Sequence, residues 1–222
     1  MVSSLSHEDA LNLIEKHFGM WNGEKPENIE IIKEKNKKVT EINYKKDIEQ
    51  STIVYLYTFY DLNKEDELPL RILNHRLGES SNSLLFREVR EKRGLAYDIY
   101  THLEITNNIK TLYIYTAVGE ENINEAKDSI DETLENIVQG KIVIGERDLE
   151  IMKKVHKTAV ISTLEDSSEL CNYMLHQALE DEDIYEFLKD MDRLNTLNMD
   201  KINKISRKVL KDPTIHILKS GN

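Results

Sequence analysis

The chain has 222 residues, 32% of them charged, a formal net charge of −11 at pH 7 and one cysteine, Cys171. That length suits a single large domain burying about 70% of the surface of its unfolded chain, and the acidity argues against nucleic acid or an anionic membrane as a partner. One cysteine excludes an internal disulfide and points to a reducing compartment, the cytoplasm, and no stretch reads as a signal peptide or a membrane span.

The first element is an amphipathic helix capped by Ser6, with Ala10, Leu11, Ile14 and Phe18 on one side, closed at Gly19 and followed by Trp21. From Asn22 to Asn36 the chain is polar and contains Pro26, which reads as a loop. Val39–Lys46 and Thr52–Phe59 read as strands, and Asp66–Leu77 as a helix in which Pro69 occupies the first turn. After Gly94, Tyr97–Ile105 and Ile109–Val118 form an expected hairpin around Asn107, and Asn124–Val138 a helix ended by Gly140. Beyond Gly145 the pattern is helical: Glu146–Leu164, Ser168–Leu179, Tyr185–Asp192 and Met199–Leu210. Pro213 stops the last, and Thr214–Leu218 returns as a short strand. Strand pairs interleaved with helices, without regular βαβ alternation, predict an α+β fold: an antiparallel sheet packed with helices. The final strand rejoins the sheet in this reading, so residues 1–222 make one domain.

The stretch Leu84–Tyr100 organises the rest. Ser81 or Ser83 can cap a helix whose stripe is Leu85, Phe86 and Val89, with Glu88 and Lys92 at favourable spacing. Gly94 supplies the left-handed residue for an abrupt helix end. Arg90 lies one turn beyond Phe86, and Tyr97 follows seven residues later, past the corner. A fixed cation and a phenol can thus reach one rim of the fold. Two plainer readings stand beside this: Arg90 as a solvated helix charge between Arg87 and Arg93, and Tyr97 as a core tyrosine in phase with Ile99 and Leu103.

The strands divide by phase. Val54, Leu56, Ile99, Leu103, Leu112 and Ile114 form an aliphatic set, whereas Tyr55, Tyr57, Tyr100, Tyr113 and Tyr115 hold half of the ten tyrosines. Aliphatic residues suit burial under helices and tyrosine a half-wet surface, so the expected sheet has helices on one face and a tyrosine wall on the other. Cross-strand aromatic packing beneath a second layer is the alternative.

Unaided hydrolysis by zinc needs two imidazoles on one helical face with a carboxylate beside them. The seven histidines are His7, His17, His75, His102, His156, His176 and His216, and none falls within a helical turn of another. His75 with Glu79 and His176 with Glu180 have helical spacing, but two residues make no catalytic metal site, so they read as solvated pairs. Cys171 has no sequence partner and reads as core packing. No glycine-rich phosphate motif is present. The chain therefore carries no catalytic and no metal-binding residue in this reading.

Leu77, Gly78, Leu85, Phe86, Arg90, Gly94, Leu95 and Tyr97 together resemble the second half of the insulinase-like zinc peptidases, which include pitrilysin and mitochondrial processing peptidase. There a Leu-Gly turn leads into a Leu-Phe-x-x-x-Arg helix ending in Gly-Leu-x-Tyr. The chain departs from that pattern at Glu79–Ser83, where the family loop is richer in glycine, and at Leu84, where it commonly carries arginine.

The resemblance implies a half-clamshell domain that has lost its metal and closes over a peptide held by a zinc-bearing N-terminal half. It implies Arg90 and Tyr97 as substrate-binding residues, and zinc as a cofactor of the other half only. The expected partners are a peptide substrate and the catalytic half or a homologous subunit, with self-association possible. It also implies that the chain is a piece of a longer two-half protein, since the first helix lies mid-polypeptide in the family. A structural core-type subunit without protease activity and a stand-alone peptide-binding module are the competing readings.

Overall fold

A computed structural model describes residues 2–23, 31–142 and 145–220. Pro26, within the expected loop, lies outside them. Helix α1 spans His7–Phe18, and Ser6 caps it as expected, its Oγ accepting the Asp9 amide at 3.1 Å. The strands β1 (Thr40–Lys45), β2 (Ser51–Thr58), β3 (Ala96–Ile105), β4 (Lys110–Val118) and β5 (Thr214–Ser220) form one sheet in the order β1-β5-β2-β4-β3. The last strand thus enters the sheet between the first two. Three pairings are antiparallel, and β1 runs parallel to β5, so the sheet is mixed at that margin.

Helices α2 (Lys64–Asn74), α3 (Ile123–Val138) and α7 (Met199–Val209) pack together under the central strands. Helices α4 (Glu146–Glu165), α5 (Ser167–Leu179) and α6 (Glu186–Asn195) build the remaining layer. Helix α2 starts two residues earlier than the sequence pattern predicts, which puts Pro69 inside it rather than in its first turn. Pro69 is buried among Leu68, Leu70, Ile72 and Leu73, so apolar burial offsets the amide bond it cannot make.

The helix-facing side of β2 overturns part of the expected phase assignment. Its buried set is Ile53, Tyr55, Tyr57 and Phe59, whereas Val54 and Leu56 face the other way. The cause is register: Tyr55 pairs with Ile114 and Tyr57 with Leu112, so these two tyrosines share the core face with the aliphatic phase of β4. Tyr55 keeps its hydroxyl satisfied by donating to Asp131 Oδ1 at 2.9 Å. Burial, with Asp131 beside it, pushes that phenol far above its usual range.

Between α2 and the corner helix, residues His75–Glu79 form a π-helical turn that lays Gly78 directly on β3. A Cβ added to Gly78 would lie 2.5 Å from Thr101 Cγ2 and 2.9 Å from its backbone nitrogen. Neither the strand nor the turn can yield without breaking other contacts. Gly78→Ala is therefore expected to cost about 1–3 kcal/mol, the usual range for overpacking. Urea unfolding should show a lower midpoint with an unchanged slope.

His156, half-buried on α4, has an Nε2 with no hydrogen-bond partner among the described residues. Burial holds its pKa below the usual imidazole range, partly opposed by Asp190. The unfolded chain, with an ordinary value of about 6.5, then binds a proton that the folded chain does not. Stability accordingly rises with pH across that window, and falls as pH drops below about 6.5 towards the folded-state pKa. Melting temperatures measured against pH should show a shallower acid limb in His156→Leu than in the wild type.

Candidate functional site

The corner after Leu84 is built in three steps. Ser83, fully buried, accepts the Phe86 amide on its Oγ at 3.3 Å, while Leu85 and Val89 anchor the turn in the core. Residues Phe86–Glu91 wind as a π-helix, not the α-helix the sequence suggests, and the Lys92 amide reaches back five residues to Arg87 O at 2.9 Å. Gly94 then takes a φ of +63°, with bonds from its own amide to Arg90 O and from the Leu95 amide to Val89 O, both 3.1 Å. This is the left-handed helix stop that favours glycine. Wide π turns of this kind recur at functional sites.

The three arginines of this turn differ in circumstance. Arg93 pairs with Glu132 of α3 at 2.7 Å and ties the corner to the helix layer. Arg87 is half-buried. Arg90 is exposed, its guanidinium carbon 4.9 Å from the centre of the Phe86 ring, and has no ion-pair partner among the described residues. Stacking on the ring holds the cation outward without neutralising it.

Tyr97 owes its position to a β-bulge. Ala96 pairs with Val118 and Asp98 with the next residue, Ala117, so Tyr97 is one residue too many for β4. Thr116 Oγ1 donates to Asp98 O at 2.9 Å beside the irregularity. Tyr97 is 60% exposed and its hydroxyl has no partner among the described residues. The core-tyrosine reading is thereby corrected: strict alternation would bury Tyr97 with Ile99, but the bulge resets the phase between them.

Downstream of the bulge the tyrosine wall exists in reduced form. Tyr100 contacts Tyr115 and Tyr113, with ring centres 5.1 and 6.3 Å apart, and His102 lies 5.1 Å from Tyr113. Val54 and Leu56, paired opposite Tyr115 and Tyr113, complete this half-exposed face. Burial among these rings, and then their own proximity, raises the Tyr100 phenol above its usual range.

The remaining candidates separate. His75 Nδ1 lies 3.7 Å from Glu79 Oε2, and that contact holds the Glu79 carboxyl below its usual range. Glu180 does not pair with His176 but accepts the Asn107 amide at 2.6 Å, clipping the end of α5 to the β3–β4 turn. Cys171 is half-exposed on α5, a helix with no buried residue, so it is not core packing. A cavity of about 300 Å³ gathers the His75–Glu79 pair with His102 and His156, which are distant from it in sequence. Among the described residues no group of three or more His, Cys, Asp or Glu could hold a metal ion, so the residues present do not fit a zinc site.

Residues 1–155 match the family model described as the peptidase M16 inactive domain. A zinc protease of Bacillus subtilis, YmxG, described as uncharacterized, is 27% identical over 201 residues, covering 88% of this chain and 47% of the relative. A protease from Helicobacter pylori has a similar fold, with a TM-score of 0.84 at 20% identity over 98% of this chain and 54% of that one. The peptidase M16 inactive domain from Pseudomonas fluorescens gives a TM-score of 0.78 at 16% identity, over 98% and 52% respectively. The chain thus spans about half the length of each of these three. Since that family model covers well over half of its residues, the chain belongs to the M16 zinc protease family, as the C-terminal-type domain described there as inactive.

Proposed function

We propose that this domain is the substrate-binding, non-catalytic half of a two-half zinc peptidase, closing over a peptide held by a zinc-bearing N-terminal half. The observation that carries the reading is the bulge at Tyr97, which turns an apparently core tyrosine into an exposed phenol just past the Arg90 turn. Neither polar tip has a hydrogen-bond or ion-pair partner among the described residues, which leaves both able to meet a ligand. Arg90 anchors a peptide carbonyl through a charge-assisted bond of about 1.5–3 kcal/mol. Tyr97 donates to the carbonyl oxygen that becomes anionic as the tetrahedral intermediate forms. The outward tyrosines of β3 and β4 form a wall along which the rest of the peptide lies.

The exposed stripe of α1, with Leu11, Ile14 and Phe18 outward and Trp21 beyond it, supports a partner surface for the catalytic half or a second copy. No helix of the described residues is long and apolar enough to cross a membrane. With one cysteine in the chain, a reducing cytoplasmic setting completes the reading.

Two measurements test it. In the protein reassembled with its zinc-bearing half, Tyr97→Phe is expected to lower kcat by about 10²–10³ without changing the melting temperature, because an oxyanion donor is lost and nothing buried is disturbed. Arg90→Lys keeps the charge but loses the planar fork, and should also impair turnover. Wild-type kcat and KM in both variants would overturn the assignment. Separately, the isolated chain, purified without an affinity tag, should contain no stoichiometric zinc and cleave no quenched peptide. One equivalent of tightly bound zinc together with turnover would contradict the non-catalytic role.

A further inference from the structure

Strand β3 ends the sheet, and its outer edge is not bare. Two adjoining cavities, of about 300 and 480 Å³, share Arg71, Leu103, His156 and Ala159. Joined, they make one groove with Thr101–Ile105 of β3 and the following Thr106 along one wall and Met152, His156, Ala159 and Thr163 of α4 along the other. Five strand steps and eleven helix steps both come to about 17 Å, so the two walls match in length. The Thr106 amide donates to Ile109 O at 2.7 Å and therefore faces β4. Alternation along an antiparallel pair then turns the N–H and C=O groups of Leu103 and Ile105 away from β4, into the groove. A strand edge facing a helix across a groove of this length is the arrangement that accepts an added strand.

The ends of the groove differ chemically. A strand added antiparallel to β3 would bring its C-terminus to the Thr101 end. Short of that end, at the junction of the two cavities beside Leu103, Arg71 has no ion-pair partner among the described residues, and His156 Nε2 has no hydrogen-bond partner. Asn74, only 4% exposed, leaves its Oδ1 unpartnered, while its Nδ2 donates to Glu79 at 3.3 Å. Glu79, the one carboxylate lining the smaller cavity, is already engaged by Asn74 and His75, and Asp190 lines the larger one near His156. The unsatisfied groups are thus a cation, an imidazole and one amide oxygen.

We propose that this groove is a second peptide site, taking the free C-terminal end of an extended peptide, about four residues of it, as a sixth strand along Leu103–Thr106, with its α-carboxylate on Arg71 and His156. Main-chain pairing makes the site tolerant of sequence, and the carboxylate makes it selective for chain ends. Arg90 and Tyr97 take no part, so this site and the function proposed above fail separately.

The test uses the chain itself and two fluorescein-labelled hexapeptides of alternating Val and Thr in opposite phases, each as free acid and as C-terminal amide. Fluorescence anisotropy should show saturable binding of at least one free acid, about tenfold or more tighter than its amide, as expected for a charge-assisted contact. Arg71→Gln should bring the acid to the affinity of the amide. Ala159→Trp, a substitution at an exposed position that fills the groove, should abolish binding of both while circular dichroism and melting temperature stay as in the wild type. The double variant Arg90→Lys, Tyr97→Phe should bind as the wild type does. No saturable binding of either acid, equal affinity for acid and amide, or binding that survives Ala159→Trp would overturn the proposal. Binding lost only in the double variant would move the peptide to the Arg90 corner, overturning the groove while leaving the function proposed there intact.

Discussion

Much of this architecture depends on one backbone torsion, the positive φ of Gly94. It lets a wide helical turn stop within a residue and hand the chain to β3 with no intervening loop. A side chain at that position would strain the backbone, even though the space around it is open. Just beyond that glycine, the bulge at Tyr97 sets the face on which the tyrosine emerges. Ties on either side, from Arg93 to Glu132 and from Lys92 to Glu88, keep the corner from unwinding.

The sheet itself is one-sided. Its helix face buries Ile53, Tyr57, Leu112 and Ile114 with the leucines of α2, and the charged group among them is answered by others. That group is Glu67. Nearly buried, it accepts Lys110 Nζ at 3.2 Å and lies 3.4 Å from that of Lys64, while Lys110 also donates to Leu62 O at 2.9 Å. Such a cluster adds little net stability, but removing one member would strand the others. The opposite face keeps tyrosines, a histidine and threonines, residues that bear water or a ligand equally well.

Much of this was legible in the sequence, and the exceptions have physical causes. Element order and type followed from apolar period, caps and glycines, and Ser6, Gly94 and Pro213 each mark a real boundary. Tyr55 and Tyr57 misled because the phase was judged on tyrosine content, whereas Ile53 and Phe59 in the same phase already made it the more apolar one. The bulge was invisible because alternation carries no record of one extra residue. The π-helical turns were equally hidden, since a five-residue hydrogen-bond step leaves almost no trace in a stripe as short as Leu85–Val89. The groove along β3 could not be read at all: Arg71, Leu103 and His156 meet only because α4 crosses the sheet margin.

The place of β5 also governs how the molecule can assemble. Thr40 of β1 pairs with Ile215, and among the described residues β1 has no other strand neighbour. Every residue of β1 is exposed, so it brings little burial of its own to hold it in place. During synthesis β2 can meet β4 and β4 can meet β3 long before β5 leaves the ribosome, which gives a three-stranded nucleus with α2 against it. Until β5 arrives, β2 shows a bare edge lined by Ile53 and Tyr55, and β1 is a dangling segment. Closure across so long a stretch of chain is slow, and the interval favours mispairing between unfinished copies. A fragment ending before Thr214 would make that interval permanent.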